Sequence, residues 1–352
     1  MKIHIRRYFI LISTMIAWVW GCDSEDQTES VDTFELTDGN DTFSTNTDTS
    51  GSTSADTFGP TVDDTSDSTS GTEPEAGNRQ VFDSSAYRYI PSGTFIMGSP
   101  MGEAGRGTNG EIEHSVMLTK GFWMKETEVT QAEWQAVMEN SPSAFSLCGS
   151  NCPVEQVSWW DAIQFCNTLS SRQGLTLCYS LSGCSGTAGG GCGEEGGCRG
   201  DYMCSSISEN PGCTGYRLPT EAEWERAYRA GTTTAFYNGD LTNTDCRDAN
   251  LDAIGWYCGN ANATHPVSDK AANEWGLHDM SGNVYEWCWD WFDTYSLVPQ
   301  SDPKGPSSGG PFRVIRGGSW FFYAQYCRAA SRDFLDPRER TDLIGLRVVR
   351  SH

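Results

Sequence analysis

"NEWGLHDMSGNVYEWCWDW", Asn273 to Trp291, decides how the chain is read. In its second half Trp287, Trp289 and Trp291 alternate with Cys288 and Asp290, the two-residue period of a strand. Outward from it, "FRVIRGGSW" (Phe312 to Trp320) and "IGLRVVR" (Ile344 to Arg350) read as further short strands. Upstream, three helices are marked by their starts. "TQAEWQAVME" from Thr130, "SWWDAIQFCNTLS" from Ser158 and "TEAEWERAYRAG" from Thr220 each set a hydroxyl three residues before a carboxylate. In such a capping box each side chain satisfies an orphan amide of the first turn. Gly231 offers a stop for the third helix. Few helices, many turns and scattered aromatics predict a single α+β domain with little regular secondary structure.

That domain does not begin at the N-terminus. Residues 1–21 pair a basic start (Lys2, Arg6, Arg7) with an apolar run from Tyr8 to Trp20, the pattern of a secretory signal. Val19-Trp20-Gly21-Cys22 resembles a bacterial lipobox, which makes Cys22 the expected lipidation site and predicts an exported, membrane-anchored lipoprotein of a bacterial cell envelope. Acyl chains hold a protein to a membrane with about 0.8 kcal/mol per buried methylene. An ordinary secreted protein or an uncleaved anchor are the other readings of the same segment. From 22 to 80 the chain is Ser, Thr and Asp rich, with fifteen acidic residues and no Lys or Arg between Asp23 and Asn78. Such a stretch buries too little apolar surface to order itself, and like charges extend it, so a disordered stalk or plain solvated spacer is expected. The acidic excess, net −23 for the whole chain, argues against nucleic acid as a partner. One domain, 81–352, remains, and a monomer is expected.

Fourteen cysteines include Cys22, leaving an odd thirteen. Six of them (Cys178, Cys184, Cys192, Cys198, Cys204, Cys213) fall in a Gly/Cys-rich insertion at about 178–213 that has no apolar periodicity. Exported proteins keep disulfides, and a segment without a core needs them. A zinc site is the rival, but the insertion has no C-x2-C pair and no histidine. Cys148 with Cys152, and Cys246 with Cys258, are further candidates for bridging. At least one thiol must stay free. Conventional hydrolysis has little support, since no G-x-S-x-G stretch is present.

In order, "IPSGTFIMGS", "ETEVTQAEW", "PVEQVSWWDAIQFC", "YRLPTEAEWERAYRAG", "THPV", "NEWGLHDMSGNVYEWCWDW", "RVIRGGSW" and "IGLRVV" resemble the sulfatase-modifying-factor family, typified by formylglycine-generating enzyme. The likeness spans Tyr89 to Arg350 and implies a single domain of that family's C-type-lectin-related fold. The family enzyme oxidises a cysteine of unfolded sulfatases to formylglycine with oxygen and Cu(I), held by a C-x4-C pair that starts three residues after the Ser of the Gly-Gly-Ser turn. Soft thiolates suit that ion. Counting from Ser319, the pair falls on Phe322 and Cys327. A phenyl ring ligates nothing, and "AASR" downstream shifts Cys327 out of register, so copper is not expected and Cys327 is a doubtful catalytic residue. Ser319 and Tyr326 match pocket positions of the enzyme, and its pocket tryptophan is Tyr285 here. Cys166 matches a disulfide cysteine whose partner position is Val348.

The resemblance also implies calcium, at Asp279, Gly282, Val284 and Glu286, with a second set beginning at Asn250 and Leu251. "DMSGNVYE" can offer two carboxylates and two carbonyls, the hard oxygens calcium takes; a hydrogen-bonded turn without an ion is the alternative. Iron, as in sulfoxide synthases of the family, would need three converging histidines, and between Val81 and Arg350 the domain holds His114, His265 and His278 without helical pairing. Two functions stay open. One is a calcium-stabilised binding or scaffold module for a protein or glycan ligand, using an aromatic-rich surface. The other is an oxygen-dependent oxidase with a rebuilt metal site.

Overall fold

The computed structural model describes residues 73–107, 110–192, 197–307 and 309–352. The expected signal segment, Cys22 and nearly all of the acidic stretch lie outside them. The compact unit spans 72–352. Its first strand, Arg79–Phe82, pairs with Ser85–Ile90, so a domain start at Val81 would cut that hairpin.

The three expected helices form with all three capping boxes intact: α1 (Gln131–Met138), α2 (Trp159–Arg172) and α3 (Glu221–Arg229). At the end of α3 it is Ala230, not Gly231, that takes the left-handed cap. A fourth helix, α4 (Ala249–Ile254), was not legible because its apolar pattern is one turn long.

Strands assemble into small sheets. The largest runs Arg79–Phe82, Ser85–Ile90, Phe122–Lys125, Val349–Ser351, Tyr216–Arg217, all antiparallel. The tryptophan-rich strand, Tyr285–Trp291, is central in a second sheet, antiparallel to Arg313–Arg316 and parallel to Ile344–Gly345. Arg332–Leu335 completes that sheet beside Arg313–Arg316. "IGLRVVR" is therefore two strands in two sheets, not one. The third sheet joins Gly93–Met97, His114–Leu118 and Gln300–Ser301.

Two buried clusters fill the space between sheets and helices, one around Trp134, Trp159 and Trp287, the other around Trp224, Tyr228 and Met280. Buried arginines tie them together. Arg347 grips Glu286 at 2.7 Å, Arg332 grips Glu221 at 2.8 Å and Arg340 grips Asp161 at 2.7 Å. Asp161 serves three ways, since besides meeting Arg340 the carboxylate caps α2 and accepts from the amide of Gly189 in the insertion at 2.8 Å. Removing either partner of such a pair strands a buried charge and costs about 3–5 kcal/mol.

The insertion is more regular than its composition suggests. Tyr179–Ser182 pairs with Ser206–Glu209, and Gly197–Arg199 pairs with Glu339–Thr341. Its six cysteines form three disulfides, Cys178–Cys213, Cys184–Cys204 and Cys192–Cys198, which leaves no thiolate there for zinc. Cys148–Cys152 and Cys246–Cys258 also close. Among the described residues Cys166, Cys288 and Cys327 stay reduced and buried.

Candidate functional site

The strand Arg313–Arg316 ends at Gly317 and Gly318, whose φ angles of +97° and +75° suit only glycine. The chain turns there and runs on as Ser319 to Tyr323 before a short turn of helix, Ala324–Cys327. Backbone bonds brace this loop from outside. The amide of Ala324 donates to the carbonyl of Asp245 at 3.0 Å, and that of Cys258 donates to the carbonyl of Phe322 at 3.2 Å. The segment doing the bracing is closed by the Cys246–Cys258 disulfide. On the other side Trp320 donates from its amide to Asn283 at 2.9 Å and from its indole to the carbonyl of Asp342 at 3.1 Å.

Here Tyr285, Ser319, Phe322 and Tyr326 do come together, but around a ring rather than a pair of sulfurs. The Phe322 ring meets Tyr285 edge-on at 5.3 Å and Tyr326 at 5.5 Å, filling the space between them. Ser319 is fully buried. Cys327 is buried in the core with Tyr228 and Met280; a Cβ on Gly318 would sit 2.5 Å from its sulfur. Burial, against a hydrogen bond from the Ser319 amide, pushes the Cys327 thiol up to about 12. A thiol so placed is neither a nucleophile nor a ready metal ligand. Cys166 and Val348 share a core cluster, as residues that pack rather than bridge.

The outward face of the loop is aromatic. Rings run in edge contact from Phe145 through Trp320, Phe321 and Phe322 to Tyr326. Tyr323 is 52% exposed and Tyr326 38%, and Leu147 stands fully exposed near the end of the row. Phe145 and Leu147 were missed from sequence, because nothing in "SPSAFSLCGS" signals that Phe145 packs on Trp320, far along the chain. Glu155 holds that segment, accepting from the amides of Ala144 at 3.1 Å and Phe145 at 3.0 Å.

Fit to calcium differs along the expected loop. Asp279 is buried; its Oδ2 accepts from the amide of Ser268 at 2.6 Å, while its Oδ1 has no partner. An orphaned buried carboxylate oxygen suits a cation. Glu286 does not suit one as it stands, since its oxygens accept from Arg347 at 2.7 Å and from the Trp224 indole at 2.7 Å. The carboxylate that sequence reading missed is Glu128, buried against the same loop, where the Asn283 side-chain amide donates to it at 3.2 Å. Burial first and the nearby Asp279 charge second push Glu128 well above the carboxylate range. Asn250 and Leu251 lie in α4 with their carbonyls taken, by Asn238 and Gly255. The three histidines are scattered: His114 packs on Tyr295, His265 stacks on Trp256, and His278 meets the carbonyl of Lys270. Among the described residues no three His, Cys, Asp or Glu side chains gather as a metal-binding group.

A mixed domain of few helices and many short strands, with its loop of aromatics after a Gly-Gly-Ser turn, defines a class that comparison makes specific. Residues 72–352 match the model of the sulfatase-modifying factor enzyme 1-like domain, and the chain belongs to that family. It is 34% identical over 248 residues to the chaperone protein LppX of Paenibacillus barcinonensis, covering 65% of this chain and 80% of that protein. It is 30% identical over 287 residues to formylglycine-generating enzyme of Streptomyces coelicolor, covering 74% and 87%. Among solved structures, Treponema denticola variable protein 1 superposes with a TM-score of 0.63 at 31% identity, over 78% of this chain and 99% of that one. PvdO from Pseudomonas aeruginosa superposes with a TM-score of 0.61 at 22% identity, over 80% and 100%, a likeness of fold alone.

Proposed function

We propose that this chain is an exported, lipid-anchored binding module that holds a polypeptide partner on its aromatic face and does not generate formylglycine. The observation that carries the reading is Phe322, whose ring occupies the space between Tyr285 and Tyr326 while the lone sulfur of Cys327 is turned into the core. Rigid aromatic rings with exposed edges give large contact area at little entropic cost. The bracing by the Cys246–Cys258 segment sets them in place before binding. The similarity to LppX, named a chaperone protein, is in keeping with a protein-binding use of the fold. Disulfides fit an exported chain, and the Cys22 box supports the anchor. Calcium, in this reading, is held by Asp279 and Glu128 with loop carbonyls, and Glu286 stays with Arg347. Bound there, it would neutralise two buried carboxylates and fix the turn from which Trp320 hangs.

The test has two halves. The purified chain, given Cu(I), oxygen and a Cys-x-Pro-x-Arg peptide, leaves the thiol unchanged, and it suppresses aggregation of a reduced, unfolded test protein. Replacing Phe321, Tyr323 and Tyr326 together by serine removes most of that suppression while the melting temperature holds. Conversion of the peptide to its aldehyde, or suppression indifferent to the three rings, would sink the reading.

A further inference from the structure

Away from the aromatic face, a cavity of about 280 Å3 opens between the sheet holding His114–Leu118, the start of α3 and the loop that follows Trp291. Its size is near the lower end for small-molecule sites, roughly 300 Å3. Four titratable side chains form the floor, each more than nine-tenths buried: Asp290, Glu221, Arg332 and His114. Exposed Thr294, Ser296 and Lys304 form the rim.

The ions in this wall are spoken for. Both Glu221 oxygens accept from Arg332 at 2.8 Å, and Glu221 also accepts from the Tyr295 hydroxyl at 2.9 Å. Lys304 holds Glu209 at 2.9 Å. Asp290 is different. Its Oδ2 accepts from the amide of Glu221 at 2.8 Å, and nothing among the described residues bonds its Oδ1, on the cavity side. Burial first, then the charges of Glu221 and Glu223, push this carboxyl well above its ordinary range, with Arg313 opposing. With ionisation opposed in this way, Oδ1 can give as well as take a hydrogen bond. His114 points Nδ1 at the carbonyl of Ile112, 3.0 Å away, which places a proton on Nδ1; in the neutral ring Nε2 is then an acceptor.

A cation entering would meet Arg332 and Lys304; an anion would meet Glu221 and Asp293. A neutral ligand with hydroxyls that both give and take hydrogen bonds meets neither obstacle. We infer that this cavity binds a neutral monosaccharide, its hydroxyls bonded to Asp290 Oδ1 and His114 Nε2. The site is separate from the aromatic face and stands or falls without it.

Ligand-observed NMR on the purified full chain tests it, with free D-glucose, D-galactose, D-mannose and N-acetyl-D-glucosamine as probes in the millimolar range. At least one binds. Asp290→Asn, which keeps a neutral hydrogen-bonding group at that place, retains that affinity. Asp290→Leu lowers it about tenfold, the worth of one hydrogen bond. His114→Phe, which keeps the ring against Tyr295 but loses the acceptor, gives the same loss and covers the case in which the leucine variant does not fold. The serine triple variant of the aromatic face binds the sugar unchanged. Binding by none of the four sugars, or binding indifferent to both Asp290→Leu and His114→Phe, overturns the inference. So does methylammonium binding that displaces the sugar and is abolished by Asp290→Asn, which would make this a cation site.

Discussion

Phe322 and Cys327 are five positions apart, yet they face different parts of the molecule, one a partly buried ring on the Trp287 cluster and the other a thiol sealed in the Trp224 cluster. No rotation of either side chain turns the loop into a two-sulfur grip. Asp279 presents the opposite case, a buried oxygen waiting for a partner. Calcium at millimolar concentration should raise the melting temperature, and chelator should reverse the gain. At a calcium level tenfold above Kd the linkage amounts to about 1.4 kcal/mol. Asp279→Asn should abolish the response, and Glu128→Gln should weaken it. A melting curve that ignores calcium in the unaltered chain would remove Asp279 and Glu128 as ligands.

At the scale of elements, the aromatic loop depends on a neighbour it does not touch in sequence. The Cys246–Cys258 disulfide closes a 12-residue separation, and loops of that size contribute about 3 kcal/mol through the unfolded chain. Replacing both cysteines by serine should therefore lower stability by roughly that amount. It should also speed amide exchange at Phe322 and Ala324 more than in the central strand Tyr285–Trp291. Equal exchange in both places would show that the loop holds itself. The capping boxes were legible because a cap is a local device: Thr130, Ser158 and Thr220 bond residues three positions away. The tryptophan strand was legible for the same reason, its period being printed in adjacent residues. The row from Phe145 to Tyr326 was not, because ring contacts across the fold leave no spacing to read. Glu128 and Asp290 sit inside motifs that were read, yet nothing in their spacing marks the carboxylates themselves, and burial alone gives them meaning.

For the whole molecule, buried acids set the response to pH. Burial, outweighing the Ser268 amide, pushes Asp279 up to about 6, and burial outweighing the amides of Phe145 and Ala144 pushes Glu155 up to about 8. Both release their protons later in the folded state than in the unfolded chain, where carboxyls titrate near 4. The unfolded state thus binds fewer protons through that interval, and stability falls as pH rises from about 4.5 through 8. Glu133 acts in the other direction: burial opposes ionisation, but Lys125 and Ser85 prevail and hold it below the usual range, so its contribution is lost in acid. Stability should peak near pH 5, with up to about 5 kcal/mol lost by pH 8. In metal-free buffer Glu155→Gln should flatten the part of the profile above pH 6. A rise in melting temperature between pH 5 and 8 would contradict the assignment.

The Cys178–Cys213 bridge brings the two ends of the insertion to a Cα separation of 4.9 Å. Whatever length of chain lies between those points, α2 and the strand Tyr216–Arg217 are delivered to the same place. The segment is a cartridge in a socket. Between those points it is pinned to the scaffold at two more places, the Gly189 amide on Asp161 and the strand Gly197–Arg199 on Glu339–Thr341, so a change of length is absorbed without moving the socket only where it spares those seams.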